Sequence, residues 1–412
     1  MFLSHRIERF ALCIGLLGGC CGSAVAVETV KSKPLLDIVD TVLAVHPQIQ
    51  WAQARLEKIA AESDAKMQPL YNPELAIDYE SNVENSSIIG ISQTIDWSDK
   101  QGAYQQIGEN NLLSAQAEFI AIRQSIAADF LKKINRSQAG KTAAELNSQQ
   151  METLQAFVDI AERRFKVGDI SQVELDLALL AAGEIRMNSA KIQSDYYSAQ
   201  LELEAFFNFE KMAIPTLEVD IIGFDSSSIE QLLGQHPLLK QLKIASNVAK
   251  SEIKLAERQK SADPTISINA GKEGDESVIN LGFSMPLFIR NRFSAEVDAA
   301  IANSVVVEQY YLNAYREILV SVKTTKKSLS LTLEAYRQWM KLSQSGLQQR
   351  GKLLQKLWKS GDLETTDYLV QIQQTLDTRI AATQLKADVI NAWIDFLVAS
   401  GQIDDWLNLG KK

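Results

Sequence analysis

A chain of 412 residues with a formal net charge of −9 and 46% apolar side chains has the composition of a folded, acidic protein. An acidic balance argues against nucleic acid as a partner, because that role needs a basic surface. Cys13, Cys20 and Cys21 are its only cysteines, so the rest of the chain holds no disulfide or thiolate metal site and must be held by packing.

Residues 1–26 read as an export signal. Arg6 and Arg9 form a basic start, residues 10–17 are apolar, and Ala24-Val25-Ala26 fits a small-residue cleavage site. Leu17-Gly18-Gly19-Cys20 also has the shape of a lipoprotein signal, with Cys20 as a lipidated N-terminus, and both readings stay open. No later window is apolar enough for a membrane helix.

Residues 27–209 form a first repeat. A helical run over 35–68 is interrupted at His46-Pro47, since proline suits a helix's first turn. Residues 74–80 alternate, with Leu75, Ile77 and Tyr79 on one face, and 87–95 alternate again with Ile89, Ile91 and Ile95. The spacing then predicts one helix over 101–165, with Leu113, Ile120, Ala127 and Ile134 seven apart. Ala117, Gln124, Leu131 and Gln138 fill the other heptad slot. A helix of that length is roughly 100 Å long. Gly168 suits a left-handed cap, Asp169 suits the start of the next helix, and the chain returns as a helix to 209.

Residues 210–228 read as a linker, 229–399 as a second repeat and 400–412 as a tail. The second repeat follows the first landmark by landmark: His236-Pro237 for His46-Pro47, Asp263-Pro264 for Asn72-Pro73, Gly282 for Gly90, Arg292 for Lys100, and Gly361-Asp362 for Gly168-Asp169. Ile266, Ile268 and Ala270 share a strand face, 271–274 turn, and Ile279, Leu281, Phe283 and Met285 share the next face. Tyr311, Ile318, Thr325, Thr332 and Trp339 repeat the heptad, interleaved with Tyr315, Val322, Leu329 and Tyr336.

Four amphipathic strands do not close a barrel, which needs about eight. Open strands do not survive in lipid, where every backbone polar group must be paired. Either the strands form a small soluble sheet, or three copies pool four strands each into a twelve-strand barrel. A heptad seam diluted with Ala, Ser, Thr and Gln suits a large ring of helices. The polar strand face (Asp78, Asn280, Ser284) would then line water.

With Phe165-Lys166-Val167-Gly168-Asp169-Ile170-Ser171 and Trp358-Lys359-Ser360-Gly361-Asp362-Leu363-Glu364-Thr365 at the two helical tips, the duplicated plan resembles the TolC-like outer-membrane efflux family. Asn72-Pro73-Glu74-Leu75 followed by Gly90-Ile91-Ser92-Gln93 looks like its heavy-metal (resistance-nodulation-division) branch. The resemblance implies a mainly α fold with a small β part: duplicated long helical hairpins forming an α-barrel, joined to a trimeric twelve-strand transmembrane β-barrel. It also implies an outer-membrane location with a large periplasmic portion, a homotrimer in contact with outer-membrane lipid, a periplasmic adaptor, an inner-membrane pump, and passive conduction of substrates such as heavy-metal cations. A type I protein-secretion channel shares this plan. An exported coiled-coil scaffold without a barrel explains the helices but not the strands.

The resemblance makes the tips (Phe165, Gly168, Asp169, Ser171, Trp358, Gly361, Asp362, Thr365) adaptor-docking positions and places Glu174 and Asp367 at a pore constriction. Leu177 and Val370 stand where relatives often carry a second acid. His46 and His236 read as helix-start residues, and Tyr79, Trp97 and Phe288 as candidates for an interfacial aromatic belt. No phosphate loop, catalytic triad or metal-ligand spacing is found, so neither an enzyme nor a cofactor is expected.

Overall fold

The computed structural model describes residues 33–81, 85–206, 214–219, 228–343 and 347–407. The export signal, Cys20 and the Ala26 cleavage position lie outside the described residues, as does most of the linker.

Helix α1 (Lys33–Val45) meets α2 (Pro47–Lys66) at His46, where Pro47 opens the second helix with its φ already set. Strands β1 (Glu74–Ser81) and β2 (Asn85–Thr94) follow, and then α3 (Lys100–Lys166), 67 residues without a break. The carboxylate of Asp96 accepts the backbone N–H groups of Lys100 and Gln101, and that of Asp99 accepts Gly102, so the first donors of α3 are satisfied. Helix α4 (Gln172–Phe206) returns alongside it. The second repeat gives α5 (Ile229–Gln235), α6 (Pro237–Gln259), β3 (Thr265–Glu273), β4 (Glu276–Ser284), α7 (Ser294–Ser343), α8 (Leu347–Ser360) and α9 (Thr365–Ser400), and α10 (Ile403–Leu407) follows it.

The helices are held at two levels. At the waist, Ile38, Val39 and Val42 of α1 pack with Phe130, Leu131 and Ile134 of α3, Val322 and Leu329 of α7, and Trp393 to Leu397 of α9. Ile403 and Leu407 of α10 close this core, and Arg123 pairs with Asp404 at 2.5 Å. A second, smaller core lies at the far end of the hairpins, around Phe157, Trp358 and Tyr368. The heptad reading holds where these cores lie: Ala127, Ile134, Ile318, Val322 and Leu329 are buried. Nearer the sheet, Leu113 and Ile120 remain exposed.

The four strands form one antiparallel sheet in chain order. Leu75 pairs with Ile91, Ile91 with Ile268, and Ile268 with Leu281. Ile77, Ile89, Ala270 and Ile279 make a second such row. Residue alternation and register therefore agree: both rows lie on one face, and of the apolar strand residues only Ala76, Ile88 and Val278 lie on the other. The expected turn over 271–274 is corrected. Gly271 is inside β3 opposite Ile88, where a Cβ would meet the carbonyl oxygen of Ser87 at 2.1 Å. The turn is carried instead by Gly274 at φ 60° and the residue after it.

Candidate functional site

The apolar sheet face is not turned onto the subunit's own helices. Ile77, Tyr79, Ile279, Leu281 and Phe283 are between 68% and 80% exposed. The opposite face carries Asp78, Ser92, Ser267, Asn269 and Asn280, and the side chain of Asn269 lies directly over Gly90. A two-faced sheet with β1 and β4 at its open edges is the geometry of a barrel segment. Trp97 is largely exposed beyond β2, while Phe288 packs edge-on against Phe293 at 4.8 Å. Among the described residues no helix is long and apolar enough to cross a membrane.

Below the sheet, one buried polar cluster joins the two repeats. Lys100 Nζ donates to Asp263 Oδ2 at 2.8 Å and to the carbonyl of Ser261 at 2.8 Å, and Tyr71 donates its hydroxyl to the same Asp263 oxygen at 2.6 Å. That hydrogen bond, aided by burial, pushes the Tyr71 phenol up to about 12. The sequence matched Lys100 with Arg292 and Asn72 with Asp263 as repeat counterparts. It gave no sign that Lys100 and Asp263 touch.

At the other end both tips close by the same backbone arrangement. Gly168 and Gly361 sit at φ 78° and 82°. The N–H of each glycine donates to the carbonyl three residues back, at Phe165 and Trp358, and the following Asp169 and Asp362 donate to Arg164 and Leu357. This is the Schellman closure that a left-handed glycine permits. The expected helix-start role of Asp169 and Asp362 is corrected. Asp169 pairs with Arg164 at 3.2 Å, and Asp362 accepts the Ser360 hydroxyl at 2.6 Å. Ser171 and Glu364 stand at the helix starts instead.

The predicted docking residues divide. Phe165, Asp169, Ser171 and Asp362 are exposed on the tips; Trp358 and Thr365, also expected among the adaptor-docking positions, are buried within the single subunit. The Trp358 ring stacks on Tyr368 at 5.0 Å and meets Phe157 at 4.4 Å, its Nε1–H donates to the Thr365 hydroxyl at 3.4 Å, and Arg164 lies over it at 5.3 Å. Trp358 thus ties the two hairpins together from inside.

Glu174 and Asp367 are not equivalent either. Glu174 accepts the backbone N–H and the hydroxyl of Ser171, both at 2.8 Å, and Ser171 Oγ accepts the N–H of Glu174 in return. Those bonds hold the Glu174 carboxyl below the usual carboxylate range. Asp367, in the first turn of α9, is exposed, and the side chain at that helix start makes no capping bond. The pair lies one turn inside the two tips, with Glu174 held by its own helix.

His46 is the N-cap of α2, its Nδ1 accepting Gln48 N at 3.3 Å, and His236 occupies the same position before α6. Burial lowers both, and brings His236 to about 4. Among the described residues no cluster of His, Cys, Asp or Glu is arranged to hold a metal ion.

Residues 38–208 match the family model described as outer membrane efflux protein. No curated protein sequence matches the chain. Among solved structures, the Campylobacter jejuni CmeC outer membrane channel superposes with a TM-score of 0.75 at 13% identity, over 90% of this chain and 86% of that one. A structure of CusC, solved for its folding and transmembrane channel formation, gives 0.71 at 17% identity, over 89% and 92%. The outer membrane protein VceC of Vibrio cholerae gives 0.69 at 17% identity, over 89% and 96%. At these identities the structural likeness establishes the fold, and it does so over both repeats. Residues 38–208 thus match the outer membrane efflux protein family, and the architecture as a whole has the fold of outer-membrane channels such as CmeC and CusC.

Proposed function

We propose that three copies of this chain close into one channel, with twelve pooled strands crossing the outer membrane and the paired hairpins extending the passage into the periplasm. The observation that carries this reading is the sheet: a continuous exposed apolar face, a polar reverse face and two open edges. Apolar strand rows as exposed as these are costly in water, at about 25 cal/mol per Å², and open edges invite pairing. Lipid and two further copies remove both problems at once.

Conduction is passive in this reading, and energy enters from an inner-membrane pump through a periplasmic adaptor. The exposed tip residues Phe165, Asp169, Ser171 and Asp362 are the surface offered to the adaptor. Six carboxylates, Glu174 and Asp367 from each copy, would ring the narrow end and favour cations. That ring supports heavy-metal cations as the cargo, in keeping with the Asn72-Pro73-Glu74-Leu75 resemblance.

The test is reconstitution in a planar bilayer. A cation-selective unitary conductance is expected, with Glu174→Gln/Asp367→Asn shifting the reversal potential towards zero selectivity. A selectivity unchanged by both substitutions would remove the acidic ring from the account.

A further inference from the structure

Strands β2 and β3 form a seam between the two repeats inside one subunit, and polar contacts fasten it at three places. Lys100 and Tyr71 meet Asp263. Arg258 pairs with Asp99 at 2.9 Å. The hydroxyls of Thr94 and Thr265 lie 2.8 Å apart.

The repeat correspondence carries one β-hairpin onto the other with no slip in register. Leu75 opposite Ile91 becomes Ile266 opposite Phe283, and Ala76 opposite Gly90 becomes Ser267 opposite Gly282; both pairings are present. Applied to the β2–β3 seam, the same correspondence pairs β4 with β1 of a second copy. Ile91 opposite Ile268 becomes Phe283 opposite the partner subunit's Ile77, and Ile89 opposite Ala270 becomes Leu281 opposite the partner subunit's Tyr79. Apolar again faces apolar. Gly282 then takes the partner subunit's Asp78 beside it, as Gly90 takes Asn269.

The fastenings do not carry over. Lys100 corresponds to Arg292, but Asp263 corresponds to Asn72 and Tyr71 to Ala262. Asp99 and Arg258 become Asn291 and Met67. Thr94 and Thr265 become Pro286 and Glu74. Resting on the trimer proposed above, we infer that the barrel has two kinds of seam. The three internal seams are locked by a buried ion pair. The three subunit seams place Arg292 opposite Asn72 of the partner subunit and are held by strand pairing and apolar contact. The subunit seams are therefore the joints at which the channel assembles and comes apart, while each subunit's own two hairpins stay fastened.

Two measurements on the full chain in detergent test this. The first is cross-linking with a short thiol–thiol reagent, because directly opposed Cβ atoms lie about 4.5–5.5 Å apart. Tyr79→Cys/Leu281→Cys is expected to give covalent dimers and trimers, and Ile77→Cys/Leu281→Cys, two residues out of register, is expected to give far less. The second is the temperature at which the trimer dissociates. Asn72→Asp is expected to raise it by several degrees by supplying the missing carboxylate, and Arg292→Gln is expected to abolish that gain. A trimer that cross-links better through the 77/281 pair overturns the register. A trimer whose dissociation temperature Asn72→Asp leaves unchanged overturns the seam chemistry, Glu74 of the partner subunit then being the alternative counter-ion. In both cases the trimer itself stands. A chain that is monomeric in detergent and in membranes removes the trimer and this inference together.

Discussion

Replacing Trp358 by alanine is the sharpest perturbation of the far end of the hairpins. The side chain is 1% exposed and contacts Phe157 and Arg164 of α3 and Thr365 and Tyr368 of α9. Truncating a buried aromatic residue costs about 3–5 kcal/mol. Most of that loss falls on one small core, separated from the waist by the length of the hairpins, so it should appear as local opening rather than global unfolding. At 1.4 kcal/mol per tenfold, the opening equilibrium near residues 154–185 and 354–372 should rise by about two to three and a half orders of magnitude. Amide hydrogen exchange reads this directly. Protection around α1 and the waist part of α9 should stay unchanged. Trp358→Phe, which keeps a ring but loses the Nε1–H bond, should give a small part of the effect. If Trp358→Ala leaves tip exchange within a few-fold of the parent, the tip is not held by this cluster.

Three further outcomes follow from the geometry. Lys100→Met alone strands Asp263 in a buried site and should cost about 3–5 kcal/mol by thermal unfolding, while Lys100→Met/Asp263→Leu should recover much of that loss. Gly168→Ala and Gly361→Ala force a Cβ into left-handed backbone and should each destabilise their tip by about 1–2 kcal/mol in exchange or proteolysis assays. By contrast Gly183→Ala, in the middle of α4 with open space at the Cβ position, should stabilise by up to about 1 kcal/mol. His236 sits at about 4 in the fold against an ordinary value of 6.5, because burial disfavours its charge. Its neutral form therefore supports stability above pH 6.5, and that support is lost progressively as pH falls from 6.5 towards 4. His236→Gln should flatten the melting temperature over that window, and an unchanged pH profile would discount the buried imidazole.

What was legible in the sequence was what local backbone rules dictate. Strand alternation placed the apolar rows, and Gly168 and Gly361 marked tips because the closure needs positive φ. The repeat made each landmark count twice. Where a residue's role depends on distant partners, the sequence misled. Gly271 reads as a turn residue, yet it is needed inside a strand because another backbone approaches too closely for a Cβ. Trp358 reads as a tip contact because it precedes the turn, yet Phe157 from the other hairpin buries it. Glu174 and Asp367 look like twins by position, but Ser171 can return a hydroxyl to the one, and Glu364 has no such group for the other. The Lys100–Asp263–Tyr71 cluster spans both repeats, and no local pattern announces a contact between residues so far apart in the chain.

The most direct measurement is single-channel recording on purified full-length protein, with its subunit mass determined in the same detergent. Three subunits per particle and stable unitary conductance steps across a planar bilayer are the result expected here. A monodisperse, water-soluble single subunit that leaves bilayers silent would mean that the bare sheet face meets something other than lipid.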